Sequence, residues 1–314
     1  MAPGKTRTLK PGVYAPLPTF FDDNQELDYG SYKKHLLNLA TRGMVPVCAG
    51  SLGEAVHLSF DERTSLIRFI RATLDEAGLN ETPIIAGVGG LSTRETITLA
   101  RAAAEAGADA GMVILPAYYA ASLNTDHSQI IQYYVDICDA SPIPILLYNF
   151  PSNAGGLDMS SSTIQSIMER SPNLCGHPKL LRLTSALKAN PELNASRAFP
   201  FLLLDGLIAD LTPWMQSGGH GTVSGIPNFA PATAMRLWEL VNLKEPSGEE
   251  VIERERLQGV VGRADVVAYV LNKVHGYGKD PRRPLLPLGE DEGEEFLGAL
   301  GELLEVEREI SARG

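Results

Sequence analysis

A length of 314 residues admits one large α/β domain or two small ones. A formal net charge of −11, with no run of Lys and Arg, excludes a surface that tracks nucleic-acid phosphates. No apolar run approaches the ~20 residues that a membrane-spanning helix needs, so no membrane partner is expected.

The opening Met1-Ala2-Pro3-Gly4-Lys5-Thr6-Arg7 is basic but lacks the apolar stretch of a secretory signal. The expected location is therefore cytoplasmic, with a mitochondrial one left open. From Gly12 onward, short apolar runs alternate with longer amphipathic ones. Val13 to Pro18 predicts a strand, and Tyr29 to Thr41 a helix with Asp28 as its N-cap and Gly43 just past its end. Met44 to Ala49 predicts a second strand. Ser59-Phe60-Asp61-Glu62 is a capping box opening a helix that runs to about Ala77. Ile84 to Val88 follows as a strand, and Ser92 caps a helix that ends at Gly107.

The alternation continues with strands at Gly111 to Leu115 and Ile143 to Tyr148, one that starts with Asn173 to Gly176, and others at Phe199 to Leu204 and Gly221 to Ser224. The intervening helices are Asp126 to Ala140, Ser160 to Arg170, Leu180 to Ala189, Ile208 to Gln216 and Pro231 to Val241. Val/Ile/Leu-rich strands that do not alternate with polar residues indicate a parallel sheet buried on both faces. Eight such βα units close naturally into a (β/α)8 TIM barrel, whose usual size of ~250 residues fits 12–244. An open doubly wound sheet would want a GxGxxG turn after the first strand, where Ala15-Pro16-Leu17-Pro18 stands instead. Residues 1–11 are then a tail and 245–314 a C-terminal helical extension. In that extension Glu250 to Gly276 reads as one or two helices and Glu292 to Ala312 as another, linked through Arg282-Arg283-Pro284-Leu285-Leu286-Pro287.

Barrel chemistry sits at the carboxyl ends of the strands. Gly50-Ser51-Leu52-Gly53-Glu54 closes the second strand, and its glycines let backbone N–H groups turn inward as a cradle for a small carboxylate. An ordinary βα turn is the alternative. Tyr148 closes the fifth strand, where a phenol could move a proton if a hydroxyl such as Ser51 relayed it. Tyr118 and Tyr119 follow the fourth. The three cysteines, Cys48, Cys138 and Cys175, and the six histidines lack metal-ligand spacing, so no metal and no cofactor are expected, only buried reduced thiols.

Taken in order, these segments resemble the dihydrodipicolinate synthase / N-acetylneuraminate lyase family of Schiff-base aldolases. Gly12-Val13-Tyr14-Ala15-Pro16, Ala86-Gly87-Val88-Gly89, Ala106-Gly107-Ala108-Asp109-Ala110 and Gly218-Gly219-His220-Gly221 extend the likeness over nearly the whole chain. The resemblance implies an aldolase acting on a small 2-oxo acid of the pyruvate kind and assembled as a homotetramer. It implies that the Ser51 and Leu52 amides hold the substrate carboxylate. Tyr148 would be the proton shuttle, with Ser51 and Tyr119 as relay partners, Tyr119 lent by a neighbouring subunit. Val223 would line the pocket.

Two departures bear on mechanism. Asn153 stands where the synthases carry an arginine that clamps the second substrate's carboxylate, which points to the branch cleaving 4-hydroxy-2-oxo acids. The second lies in the sixth strand, Asn173-Leu174-Cys175-Gly176-His177-Pro178-Lys179. The family's imine-forming lysine would fall at Pro178, and Lys179 is one place further on. A one-residue shift moves a strand side chain to the opposite face, unless the strand bulges or ends early. Lys179 is nevertheless the one lysine expected near the barrel mouth. The readings that follow are a working aldolase that uses Lys179, a family member that has lost imine chemistry, a dihydrodipicolinate synthase-type condensing enzyme, and a non-catalytic interaction scaffold.

Overall fold

The computed structural model describes residues 6–178, 199–261, 268–277 and 280–313. Its eight strands are β1 Gly12–Pro16, β2 Val45–Cys48, β3 Ile85–Gly87, β4 Ala110–Ile114, β5 Ile145–Tyr148, β6 Leu174–Pro178, β7 Leu202–Leu204 and β8 Gly221–Val223. All pairings are parallel, and β1 lies between β2 and β8 while each later strand pairs with the next. Asp205 closes the remaining seam. Its amide donates to Gly221 O at 2.9 Å, and its carbonyl accepts from Val223 N at 2.7 Å and from Thr222 Oγ1 at 3.0 Å. The sheet is therefore a TIM barrel.

Alternation along the strands sorts side chains into two layers. Tyr14, Val47, Ile85, Met112, Leu146, Cys175, Leu202 and Leu204 fill the barrel interior. Their neighbours Val13, Cys48, Ala86, Val113, Leu147, Leu174 and Leu203 pack outward against the helices. This two-sided burial is why the strands read as continuous apolar runs.

The helices facing the barrel begin with α1 Tyr29–Ala40, α2 Phe60–Glu76, α3 Thr93–Ala106, α4 Ala120–Leu123, α5 His127–Ala140 and α6 Ser161–Arg170. After the undescribed segment come α7 Leu211–Gln216 and α8 Pro231–Val241. The caps read from sequence are present: Asp28 accepts from Ser31 N, Ser59 and Glu62 complete a capping box, and Gly107 ends α3 at φ 103°. Beyond α8 lie α9 Gly248–Val261, α10 Ala268–His275, α11 Glu290–Ala299 and α12 Gly301–Ser311. Among the described residues no helix is long and apolar enough to cross a membrane.

Several boundaries differ from the sequence expectation. β5 starts at Ile145 rather than Ile143 because Pro144 has no N–H to donate, although its carbonyl still accepts from Gly111 N at 2.9 Å. Glu292 to Ala312 is two helices rather than one, meeting at the buried Leu300 with Gly298 and Gly301 on either side. β6 starts at Leu174 rather than Asn173 and runs through Gly176 to Pro178. The short α4 was not expected, and the helix expected over Leu180 to Ala189 lies outside the described residues.

Candidate active site

The loop after β2 is the most constrained stretch at the carboxyl ends of the strands. Ala49 and Glu54 both take positive φ, 50° and 51°, which side chains rarely tolerate. Between them Glu54 N donates to Ser51 O at 3.1 Å and Ala55 N to Gly50 O at 3.2 Å, winding the chain into the turn Ala55–His57. Thr19 Oγ1 donates to Gly53 O at 2.7 Å from the segment after β1. A Cβ on Gly53 would sit 2.9 Å from Leu17 O, and one on Gly87 only 1.8 Å from Ala49 O. Two glycines thus let three backbones meet where side chains would hold them apart. Among the described residues, the Ser51 and Leu52 amides have no acceptor, the condition for binding an anion.

Tyr148 ends β5 opposite Ile114 of β4 and leans on the barrel-interior cluster, as does Val223 of β8. The Ser51 side chain lies beside its hydroxyl. Burial raises the phenol's pKa above its ordinary value and the Ser51 hydroxyl offsets part of that rise. The group is therefore neutral near pH 7 and able to donate and accept in one step. Phe150 stacks on the Tyr148 ring at 5.7 Å and 14°. Asn149 clasps the following loop, Nδ2 donating to Asp158 Oδ1 at 2.6 Å and Oδ1 accepting from Met159 N at 3.2 Å.

The structure brings Ser51, Leu52, Tyr148 and Val223 to one end of the barrel. Asn153 ends the turn Pro151–Asn153 with its side chain exposed. Tyr119 is 68% exposed and packs edge-on against Tyr118 at 5.0 Å, so within this chain it does not join the Ser51–Tyr148 pair. On β6 the pairing with β5 steps from Ile145↔Leu174 to Leu146↔Gly176, leaving Cys175 as a bulge. Beyond it Pro178 pairs with Leu204, whose side chain belongs to the barrel interior. Lys179 lies outside the described residues. Among the described residues no cluster of His, Cys, Asp or Glu has the arrangement of a metal site.

Sequence reasoning missed the groups that brace this site. Arg63 donates from Nε to Ala55 O at 3.1 Å and from Nη1 to Gly89 O at 3.1 Å, tying the loops after β2 and β3 together. Arg282 reaches the same loop from the C-terminal segment. An arginine on a helix or in a linker carries no periodic signal, so only the fold reveals these partners.

The chain matches the family model described as the dihydrodipicolinate synthetase family over residues 10–300. It is 34% identical over 318 residues to a protein of Emericella nidulans named "Probable 4-hydroxy-2-oxoglutarate aldolase, mitochondrial", covering 98% of this chain and 99% of the relative. It is 35% identical over 333 residues to the L-threo-3-deoxy-hexylosonate aldolase of Aspergillus niger, covering 96% and 97%. Among solved structures, a dihydrodipicolinate synthase family protein from Coccidioides immitis superposes with a TM-score of 0.82 at 26% identity, over 97% of this chain and 99% of that one. YagE from Escherichia coli K12, solved in complex with pyruvate, shares the fold at a TM-score of 0.79 and 23% identity, over 93% and 98% of the two chains.

Proposed function

This chain belongs to the dihydrodipicolinate synthetase family, and from that premise we propose that it is a class I aldolase cleaving a 4-hydroxy-2-oxo acid to pyruvate and an aldehyde. The observation that carries the reading is the Tyr148 phenol at the end of β5, facing Ser51 beside amides without acceptors. It supplies a proton carrier and a carboxylate cradle at one end of the barrel, as the reaction requires. The aldolase names of the two fungal relatives support the same reaction class.

In this mechanism the Ser51 and Leu52 amides hold the substrate carboxylate and set its ketone beside the nucleophile. The Lys179 amine adds to the ketone, and the carbinolamine expels water to form an imine. Tyr148 moves the protons of that exchange, Ser51 passing them along. The C3–C4 bond then breaks as the 4-hydroxyl loses its proton, the aldehyde departs, and the remaining enamine takes a proton at C3. Water hydrolyses the imine and pyruvate leaves. Val223 lines the pocket, and Asn153 meets the aldehyde half without the charge of an arginine. The reading includes a homotetramer in which a neighbouring subunit lends Tyr119, residues 12–244 as the catalytic barrel, and a cytoplasmic location. The Emericella relative's mitochondrial name supplies the alternative location.

Borohydride reduction in the presence of pyruvate tests the central step. The expected result is a stable mass adduct mapping to Lys179. A second reading, a chain that binds 2-oxo acids without forming the imine, is favoured by Pro178 at the β6 position paired with Leu204. Saturable pyruvate binding with no adduct would establish it over the first.

A further inference from the structure

The link between α10 and α11 carries a residue whose bonds converge on the loop of the carboxylate cradle. All five guanidinium N–H groups of Arg282 are used. Nε and Nη2 donate to Gln25 O at 3.2 and 2.6 Å, and Nη1 donates to His57 O at 2.7 Å. Nη1 and Nη2 also grip the Glu62 carboxylate at 3.0 and 2.6 Å, a bidentate pair at the first turn of α2. The Arg282 backbone amide donates to Glu54 Oε2 at 3.0 Å, an oxygen that His57 Nδ1 also meets at 2.9 Å. The guanidinium lies 4.4 Å from the Phe21 ring centroid, and the side chain is only 15% exposed.

These partners coincide with backbone strain. Gln25, Ala49 and Glu54 are the non-glycine residues with positive φ among those described. Arg282 bonds two of them, Gln25 and Glu54. The third, Ala49, begins the loop that Glu54 and the turn Ala55–His57 complete. Strained conformations persist where the surroundings over-determine them, and they gather at functional sites. The single residue arriving from the C-terminal segment therefore locks the far end of the loop whose near end presents the Ser51 and Leu52 amides.

We propose that Arg282 is a positioning residue for 2-oxo-acid binding, clamping the Gly50–Leu58 loop in the shape that aims the Ser51 and Leu52 amides at the substrate carboxylate. The proposal rests on the cradle assigned under the proposed function, and it makes the segment after α10 part of the substrate-affinity apparatus. Lysine cannot replace the residue, because an ammonium offers three donors on one atom and cannot span Gln25, His57 and Glu62 together.

Arg282→Gln and Arg282→Lys, with Arg256→Gln as control, test the clamp. Arg256 meets Glu309 at 3.2 Å in an exposed pair between α9 and α12, away from the cradle. Hydrogen–deuterium exchange at the amides of residues 51–55 should accelerate in both Arg282 variants and stay unchanged in the control. The pyruvate dissociation constant should weaken about tenfold, and KM for pyruvate in the condensation direction should rise similarly while kcat changes by less than about threefold. Unchanged loop exchange overturns the inference, as does faster exchange with unaltered pyruvate affinity or full rescue by lysine. A wild-type chain that binds pyruvate yet forms no imine sinks the aldolase reading alone, since binding and exchange still report on the clamp. A wild-type chain that binds no 2-oxo acid overturns both.

Discussion

Replacing Gly87 by alanine is the most direct test of whether the cradle depends on backbones meeting without side chains between them. The added Cβ would lie 1.8 Å from Ala49 O, 2.6 Å from Ala49 C and 3.2 Å from Gly50 N. Carbon–oxygen contacts run at about 3.3–3.6 Å, so the Ala49 carbonyl must retreat by about 1.5 Å. The clash is with backbone, so no rotamer change relieves it. Overpacking a core costs about 1–3 kcal/mol, and a clash between two strand ends belongs at the top of that range, about 3 kcal/mol. A displacement above about 1 Å at the cradle should also lower kcat/KM about a hundredfold. Urea denaturation gives the first quantity from the midpoint at unchanged slope, and retro-aldol kinetics gives the second. A Gly87→Ala protein with wild-type midpoint and wild-type pyruvate affinity would refute the close-approach argument.

Tyr148→Phe removes the hydroxyl that meets Ser51 and should cut kcat about 10²–10⁴-fold while pyruvate still binds; an unchanged kcat would remove Tyr148 from the proton path. Burial holds the His35 imidazole at about 4, with its Nε2 2.8 Å from Asn228 Oδ1. Because the unfolded chain takes up that proton first, near pH 6.5, this contribution is complete above pH 6.5 and is lost as pH falls toward 4. The loss amounts to about 3 kcal/mol, and His35→Gln should flatten the dependence in urea midpoints measured between those pH values. Gly259 is exposed within α9 with nothing near its Cβ position, so Gly259→Ala should stabilise the protein by about 1 kcal/mol; a lower denaturation midpoint would contradict that helix assignment.

The barrel was legible because its physics is local. Strands buried on both faces must be apolar throughout, and helices between them announce themselves by caps such as Ser59 with Glu62 and Asp28 with Ser31. Ser51 and Tyr148 were legible as strand-end residues, and the fold sets them beside each other. What stayed hidden depends on contacts distant in sequence. Arg282 lies 228 residues from Glu54 and reads, by itself, as one more cation in a polar linker. A bulge in β6 was open from the sequence, but its place at Cys175 was hidden, because one extra residue in a short strand leaves the apolar pattern intact. β6 ends at Pro178, where a proline suits the end of a strand rather than its middle. Proline removes a donor from one side only, and Pro178 keeps its pairing with Leu204 of β7.

The loop after β2 concentrates the least favourable backbone of the barrel, and this is consistent with anion binding rather than incidental to it. Amides that point at a substrate carboxylate cannot also bond within a regular turn, so Ser51 and Leu52 forgo partners while Glu54 and Ala55 bond back to Ser51 and Gly50. Part of the loop's stability must then come from outside it. Thr19 supplies it from the segment after β1, Gly87 from β3 by leaving room, Arg63 from α2, and Arg282 from beyond α10. Each brace comes from a different element, so the loop's shape is set by the closed barrel and not by its own sequence. Preorganised donors gain strength because they need not rearrange when charge arrives. Loosening the Arg63 or Arg282 brace should therefore weaken 2-oxo-acid binding before it lowers the stability of the barrel, whereas Gly87, buried in β3, serves both.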